Sequence, residues 1–272
     1  MFFLKPSWLS WRAVFWTLLT ATTALVSRWV SNAMEAYPRA REGGPAAACD
    51  PAAARDQQRL AGSRVWRVVE GWLADRALQP FRERPGFTPL RILNLDFGPG
   101  GVAIALRARA PLDAAVFATD PVTGMGDLAR YRAVRRGPRR QPYFIQAWGS
   151  GLPFRDASFD LVVASGALHG WPNPAAALAE TRRVLKPSGR YLIADLRRDI
   201  ALTLWLGLRV IQVALVPKDL RALGEPSASL TAAYAPHEAE WFAARAKLPD
   251  IMVTRGPAWL MLERSRTASS VS

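Results

Sequence analysis

A glycine-rich turn that follows a short apolar run constrains the fold of this chain more than any other feature. Residues 90–95 read L-R-I-L-N-L, residues 98–101 read G-P-G-G, and residues 102–109 have the composition of a helix. A strand, a glycine turn and a helix N-terminus form a cradle for a ligand, because backbone N–H groups point outward there and the missing Cβ atoms let a ligand approach the main chain. Many strand-to-helix turns need glycine for steric reasons alone, so a second observation is required.

The segment V-F-A-T-D at residues 116–120 provides that second observation. It predicts a short strand that ends in a carboxylate, Asp120, about 20 residues after the glycine turn. An acid at this spacing accepts hydrogen bonds from ribose hydroxyls in βαβ nucleotide sites. The two segments together indicate an α/β fold that holds a nucleoside-containing ligand.

The pattern of apolar residues predicts a Rossmann-like, doubly wound and mostly parallel sheet, with an antiparallel hairpin near the C-terminus. Near-continuous apolar strands that alternate with helices are typical of a parallel sheet covered on both faces. Beyond the two strands above, strands are predicted at residues 143–147, 160–164, 191–195, 250–254 and 258–263. Helices are predicted at residues 56–77, 102–109, 125–135 and 175–185.

Two motifs in residues 152–195 point to a family. They are L-P-F-R-D-A-S-F-D and E-T-R-R-V-L-K-P-S-G, and an apolar strand follows the second. With them the chain resembles the class I S-adenosylmethionine-dependent methyltransferases, and more narrowly the methyltransferase type 11 branch that includes quinone- and lipid-methylating enzymes. The resemblance covers residues 57–264 and implies S-adenosyl-L-methionine as the cofactor. It also implies that a helix within residues 56–77 covers the cofactor pocket, although an ordinary packing helix is an equal alternative.

The resemblance locates the cofactor residues and also reveals departures from the family. The first-strand turn of the family usually reads D-x-G-x-G-x-G, whereas here Asn94 replaces the acid and Asp96 replaces a glycine. Asp96 either repels the carboxylate of the cofactor or accepts a hydrogen bond from its ammonium. Trp148 replaces an acid that accepts from the adenine amine, and it either stacks on adenine or fills its slot. The expected cofactor-binding residues are Asn94, Asp96, Gly98, Gly100, Asp120, Trp148 and Ser165.

His169 is the candidate catalytic residue. Methyl transfer from a sulfonium needs little acid–base chemistry, but a phenol or enol acceptor needs one base. His169 lies in the S-G-A-L-H-G-W loop after the fourth predicted strand, at the carboxyl edge where such sheets bind ligands. A purely structural role is the alternative.

The first thirty residues predict a single transmembrane helix. Residues 6–30 are long enough to cross a ~30 Å hydrocarbon core, and no charge lies between Arg12 and Arg28. A cleaved signal peptide and a helix lying in the membrane interface remain alternatives. Trp8 and Trp11 at one end and Trp29 at the other suit the two interfacial belts, and Trp16 is a further candidate for membrane contact.

The predicted organisation has four parts: a membrane anchor (1–33), a flexible Ala/Pro/Gly-rich linker (34–56), the methyltransferase-like domain (57–264) and a disordered tail (265–272). A cofactor made in the cytosol favours a domain on the cytoplasmic side. A second apolar stretch, residues 200–216, is predicted to line a lipophilic cavity, to rest in the membrane, to bury against a partner or to pack in the core.

The net charge of +14 attracts the chain to a polyanion. One stretch is rich in arginine: Arg130, Arg132, Arg135, Arg136, Arg139 and Arg140. We expect it either to contact anionic lipid or an acidic partner, or to be a solvated face. Nucleic acid is disfavoured, because no binding motif is present and aromatic residues do not alternate with the arginines. One cysteine excludes an internal disulfide, and two histidines without clustered acids disfavour a metal site.

Three functions remain open at this point. The first is a membrane-anchored methyltransferase that acts on a lipophilic quinone, isoprenoid or pigment. The second is a catalytically silent methyltransferase fold that serves as a structural subunit of a membrane protein complex. The third is a soluble methyltransferase whose first residues are a targeting peptide. The departures at Asn94, Asp96 and Trp148 motivate the second function. Each hydrogen bond to the cofactor that they remove is worth ~1–3 kcal/mol.

Overall fold

The computed structural model describes residues 64–82, 89–137, 141–201, 203–207, 210 and 227–265. Within them, seven strands form one sheet in the order β3-β2-β1-β4-β5-β7-β6. The strands are β1 (Arg91–Leu95), β2 (Ala115–Asp120), β3 (Tyr143–Gln146), β4 (Phe159–Ser165), β5 (Leu185–Leu196), β6 (Ile251–Arg255) and β7 (Trp259–Arg264). The helices are α1 (Arg64–Leu78), α2 (Gly101–Arg109), α3 (Met125–Arg136), α4 (Pro174–Val184), α5 (Ser227–Ala232) and α6 (Pro236–Arg245).

Strands β1 to β5 run parallel, and β7 is antiparallel to both of its neighbours. Strand β1 lies between β2 and β4, so that Leu93 is paired with Phe117 on one side and with Val162 on the other. The strand order reverses at this point, because the chain leaves β1 toward β2 and later returns to β4. Open α/β sheets bind their ligands at the carboxyl ends of the strands at such a switch point.

Helices cover both faces of the sheet, which is why the central strands are apolar on both sides. Successive side chains of a strand alternate between the faces. Ile92 therefore packs in a core with Leu73 of α1 and Leu106 of α2. Leu93 faces the opposite core, which includes Leu178 of α4. The predicted Rossmann-like α/β fold with a terminal antiparallel hairpin is confirmed.

Strand β5 is longer than predicted, since the sequence indicated a strand only over residues 191–195. The structure assigns strand from Leu185 onward, with a register shift against β4. Leu185 pairs with Phe159, whereas Arg190 already pairs with Leu161, so residues 186–189 bulge out of the ladder. Residues 186–189 therefore form an irregularity within β5.

Several predicted segments lie outside the described residues. They include the anchor helix with Trp8, Trp11, Trp16 and Trp29, the linker, the C-terminal tail beyond residue 265, and most of the apolar stretch 200–216. Among the helices that are described, none combines the length and the apolarity needed to span a bilayer.

Candidate functional site

The glycine turn between β1 and α2 has a backbone that few residue types tolerate. Asp96, Gly98 and Gly100 have φ values of 44°, 48° and 81°, in the left-handed region. At Gly100 a Cβ atom would lie 2.8 Å from the Cβ of Ala129 on α3. Gly100 is therefore required both for its backbone conformation and for the close approach of α3.

Asp120, at the end of β2, holds this turn from the strand side. Its Oδ2 accepts from the Gly98 N–H at 2.8 Å, and its Oδ1 accepts from the Val122 N–H at 2.9 Å. Burial raises the pKa of Asp120 to about 6, against the lowering effect of these two hydrogen bonds. A carboxylate has about four lone-pair sites, so Asp120 retains the capacity to accept from a ribose hydroxyl as the sequence predicts.

Asp96, the residue that replaces a family glycine, lies beside Trp171. The indole Nε1 of Trp171 donates to Oδ2 of Asp96, whereas Oδ1 of Asp96 is buried without a hydrogen-bond partner in the described structure. Burial, reinforced by the charge of Asp120, raises the pKa of Asp96 to about 7. Asp96 is thus a carboxyl group with an unused acceptor, next to a second carboxylate.

Asn94, two residues earlier on β1, presents a second unused acceptor. Its Nδ2 donates to the carbonyl oxygens of Leu95 and Val163 at 3.2 and 3.0 Å. Its Oδ1 is buried and has no hydrogen-bond partner in the described residues. Because unpaired buried acceptors are costly, both oxygens indicate a place for hydrogen-bond donors of a ligand.

His169 is held by a carboxylate that the sequence analysis did not single out, Asp195 at the end of β5. Nδ1 of His169 lies 2.7 Å from Oδ1 of Asp195, and the His169 N–H donates to Oδ2 at 2.9 Å. The Leu196 N–H also donates to Oδ1, at 2.6 Å. A carboxylate at Nδ1 favours the tautomer that carries its proton there, so the lone pair resides on Nε2. In this tautomer Nε2 is the basic nitrogen of the ring.

The short 3-10 helix Leu168–Gly170 and the residue after it join the two carboxylates. His169 contacts Asp195, and Trp171, which is 6% exposed, contacts Asp96. The structure thus brings the predicted catalytic residue and the predicted cofactor turn to one edge of the sheet.

The remaining predicted cofactor residues lie near the same edge. Ser165 is the last residue of β4 and is half-buried. Trp148 follows β3 and is 38% exposed, so its side chain does not fill a closed slot as one prediction had it. Its exposed ring remains able to stack on a base. The buried tryptophan at this edge is Trp171, which approaches Gly149: a Cβ there would lie 3.5 Å from the indole Nε1.

Part of the predicted arginine surface faces the protein interior. Arg132 donates to the Pro99 carbonyl oxygen at 2.6 Å, and Arg136 forms an ion pair with Glu70 of α1 at 2.9 Å. Burial, together with the charge of Arg136, lowers the pKa of Arg132. The guanidinium groups of these two arginines bond to the domain itself, and the lipid or partner contact of the arginine stretch stays a prediction.

The other half of the described stretch faces outward. Arg130 pairs with Asp127 at 2.7 Å on the surface of α3, and Arg135 lies over the exposed ring of Tyr131. Arg139 and Arg140 lie outside the described residues.

Helix α1 was expected either to cover the cofactor pocket or to serve as a packing helix. It packs along α2, and its Glu70 lies against the first turn of α2 at Gly101. A signal for Glu70 existed in the sequence: it is an acid between Val69 and Leu73, on the apolar side of a predicted helix. The signal for Asp195 was its place at the end of an apolar strand, as for Asp120.

The described residues also line a cavity of about 210 Å³ that includes Ala77, Leu161 and Tyr191. Neither Asp96 nor Asp195 lines this cavity. The assignment of the site therefore rests on the polar groups at the carboxyl edge, whose chemistry is specific.

Comparison with known proteins gives the same picture. The sequence profile described as "Methyltransferase domain" matches residues 95–193. This part of the chain is similar to the methyltransferase domain family. The ubiquinone/menaquinone biosynthesis C-methyltransferase UbiE of Brucella anthropi is 35% identical over 133 residues, which are 48% of this chain and 47% of that protein. The corresponding protein of Xanthomonas oryzae pv. oryzae is 38% identical over 105 residues, 39% of this chain and 42% of the relative.

The chain thus spans less than half the length of these curated relatives. Among solved structures, a SAM-dependent methyltransferase from Aquifex aeolicus has a TM-score of 0.55 at 17% identity, covering 77% of this chain and 96% of the other. The plantazolicin methyltransferase, solved with SAH, has a TM-score of 0.57 at 14% identity, covering 79% and 92%. These structures share the fold. The predicted resemblance to class I methyltransferases is confirmed, and S-adenosyl-L-methionine is the cofactor of this family and fold.

Proposed function

We propose that this protein is an S-adenosyl-L-methionine-dependent methyltransferase whose acceptor is a lipophilic quinol. The observation that carries the proposal is the pair of carboxyl groups, Asp96 and Asp120, buried close together at the end of β1 and β2 with Oδ1 of Asp96 unpaired. Two adjacent buried carboxylates are costly without a cation. S-adenosyl-L-methionine carries a sulfonium and an ammonium against one carboxylate, and it is therefore a cationic ligand.

The residues present fit this cofactor. Oδ1 of Asp96 and Oδ1 of Asn94 are acceptors for its ammonium group, and Asp120 is an acceptor for ribose hydroxyls. The departures from the family pattern thus supply acceptors where other members have a glycine and an acid. No feature of the described residues favours a catalytically silent scaffold, because Asn94 and Asp96 do not fill the site with apolar side chains.

The bound sulfonium would supply an electrophilic methyl group. This chain supplies orientation and a base. Asp195 fixes His169 through two hydrogen bonds, and Nε2 of His169 would take the proton of the acceptor hydroxyl as the neighbouring ring carbon forms its bond to the methyl group. The ring carbon then loses its own hydrogen as a proton, and the hydroxyl is restored. Catalysis by such a base typically contributes about 10²–10⁴-fold.

The acceptor class is supported by the relatives. The Brucella anthropi protein is named for C-methylation in ubiquinone and menaquinone biosynthesis. The family match over residues 95–193 includes Asp96, Asp120 and His169. An acceptor of this kind is lipophilic and resides in a membrane. The predicted N-terminal anchor helix with the domain on the cytoplasmic side suits such a substrate, and it is part of this proposal on sequence grounds alone.

The test is transfer of a radiolabelled methyl group from S-adenosyl-L-methionine to a detergent-dispersed prenylated quinol that lacks one ring methyl group. We expect label in the organic phase with the wild-type chain and at least a tenfold lower rate with His169→Ala. A dihydroxyarene without the prenyl tail is the control for lipophilicity and should be a poorer acceptor. Absence of label on every quinol, in the presence of cofactor binding, would overturn the acceptor class.

A further inference from the structure

Glu70 places a carboxylate where the first turn of α2 begins. The residue belongs to α1 and is 2% exposed. Its carboxylate lies so close to Gly101 that a Cβ atom at that position would overlap with Oε1. Only a glycine at position 101 admits this contact. The contact joins α1 to the end of the cofactor turn.

A buried carboxylate needs a compensating partner, and Glu70 has one in Arg136 at 2.9 Å. The N-terminus of α2 provides a second favourable interaction, because a helix N-terminus carries partial positive charge. One turn earlier on α3, Arg132 donates to the Pro99 carbonyl oxygen in the middle of the turn. Helix α3 therefore supports the turn at two points. Arg132 contacts Pro99 directly, and Arg136 acts on Gly101 through Glu70.

The turn has a reason to need these supports. Asp96, Gly98 and Gly100 all have positive φ, and Asp96 is not a glycine, so the turn is not the locally preferred conformation. Asp120 holds Gly98 from the side of β2. Glu70 and the arginines hold Pro99 and Gly101 from the side of the helices. Loss of one side would release the turn and with it the position of Asp96.

We propose that Glu70 is a positioning residue for the cofactor: paired with Arg136 and packed on Gly101, it keeps residues 96–101 in the conformation that presents the unused oxygens of Asn94 and Asp96. The proposal rests on the proposed function for the identity of the ligand, and on the described contacts for the state of the turn. It assigns α1 a role in cofactor binding although no residue of α1 has to touch the cofactor.

The experiment compares Glu70→Gln with the wild-type full-length chain in two measurements. Calorimetric titration with S-adenosyl-L-methionine should give a dissociation constant at least tenfold higher for Glu70→Gln. Amide hydrogen exchange should be at least tenfold faster at Gly98 and Gly100, whose N–H groups donate to Asp120 and to the Phe97 carbonyl. Unchanged affinity together with unchanged exchange would overturn the proposal.

Asp75→Asn is the matched control on the same helix. Asp75 is also a carboxylate paired with arginines, Arg82 and Arg109, but it lies on the exposed side and does not contact the turn. Neither measurement should change in this variant. An equal change in both variants would mean that α1 acts through general packing, which contradicts a specific role for Glu70.

Arg136→Gln provides the second variant if Glu70→Gln does not fold. It removes the partner of the Glu70 carboxylate, and it should accelerate exchange at Gly98 and Gly100. Failure of the wild-type chain to bind the cofactor would reject the proposed function, whereas the exchange data would still decide whether Glu70 holds the turn.

Discussion

Asp96 is the residue at which this chain departs furthest from its family and at which stability and binding oppose each other. In the folded protein the pKa of this carboxyl is raised to about 7 from an ordinary value of 3.8. The folded state therefore binds the proton more tightly than the unfolded state does. The contribution of Asp96 to stability is consequently lost as pH rises from about 4 to 7. Above pH 7 the ionised group destabilises the ligand-free protein.

Asp96→Asn should therefore raise the free energy of unfolding by a few kcal/mol at pH 8, with a higher melting temperature, and by a clearly smaller amount at pH 5. The same change should weaken binding of S-adenosyl-L-methionine by about 10- to 100-fold, because an amide cannot neutralise the ligand. Thermal unfolding and calorimetric titration at both pH values measure these effects. The exposed Asp113→Asn variant is the control. A destabilised variant with wild-type affinity contradicts this account of Asp96.

Asp195 acts through His169. Its replacement should lower the rate of methylation without changing the affinity for the cofactor. In Asp195→Asn the amide no longer fixes the tautomer of His169, so the rate of quinol methylation should fall by about tenfold or more. The dissociation constant of the cofactor should stay within twofold. The double variant with His169→Ala should be no slower than His169→Ala alone, because both changes remove the same base. Additive losses in the double variant would show that the two residues act independently.

The sequence predicts the place of a site residue where that place depends on a single strand and the residues next to it. Asp120 and His169 each follow an apolar strand, and their place at the carboxyl edge follows from the parallel sheet alone. The contacts of Glu70, Trp171 and Asp195 were not predictable, since they join residues that are 66, 75 and 26 positions from their partners. Only the folded arrangement shows that Arg132 and Arg136 turn inward.

At the scale of elements, three neighbouring helices on one face of the sheet determine the shape of the cofactor turn. Helix α2 begins at the turn, α3 approaches Gly100 through Ala129, and α1 approaches Gly101 through Glu70. Glycine at these two positions is a packing requirement set by other elements. The sequence shows that residues 100 and 101 are glycines. It does not show which helices approach these two residues so closely that no Cβ atom fits.

Gly101→Ala should cost about 2 kcal/mol or more of stability, because its Cβ would overlap with Glu70. In a Glu70→Ala background the same change should cost little, since the carboxylate is gone. Chemical denaturation of the four proteins in this double-mutant cycle measures the coupling. The control is Gly126→Ala on α3, where the new Cβ would meet only the Arg130 side chain, at 3.4 Å, and should not destabilise the helix. A coupling energy near zero would contradict the described contact.

The two halves of the α3 arginine stretch should respond differently to substitution. Arg130→Gln/Arg135→Gln removes outward charge and should weaken association with anionic vesicles while leaving the melting temperature unchanged. Arg132→Gln/Arg136→Gln removes the contacts to Pro99 and Glu70 and should lower the melting temperature by several degrees. Vesicle sedimentation and thermal unfolding separate the two effects. Equal vesicle binding by wild type and Arg130→Gln/Arg135→Gln would identify the outward pair as merely solvated.

At the scale of the whole molecule, the sheet presents polar residues at one edge, where its parallel strands end: Asp96, Asp120, Ser165 and Asp195. The sheet order, the family match over residues 95–193 and the resemblance to quinone C-methyltransferases agree with one another. The predicted N-terminal helix would add retention at a membrane, where a lipophilic acceptor resides. Extraction of native membranes at alkaline pH tests that part: an anchored chain stays in the pellet, and release into the supernatant would reject the anchor.

The most direct test of the central claim is calorimetric titration of the full-length protein with S-adenosyl-L-methionine at pH 8 and pH 6. We expect a micromolar dissociation constant at pH 8 and weaker binding at pH 6, where Asp96 with its pKa of about 7 is largely protonated. Absence of binding at millimolar cofactor at both pH values would contradict it.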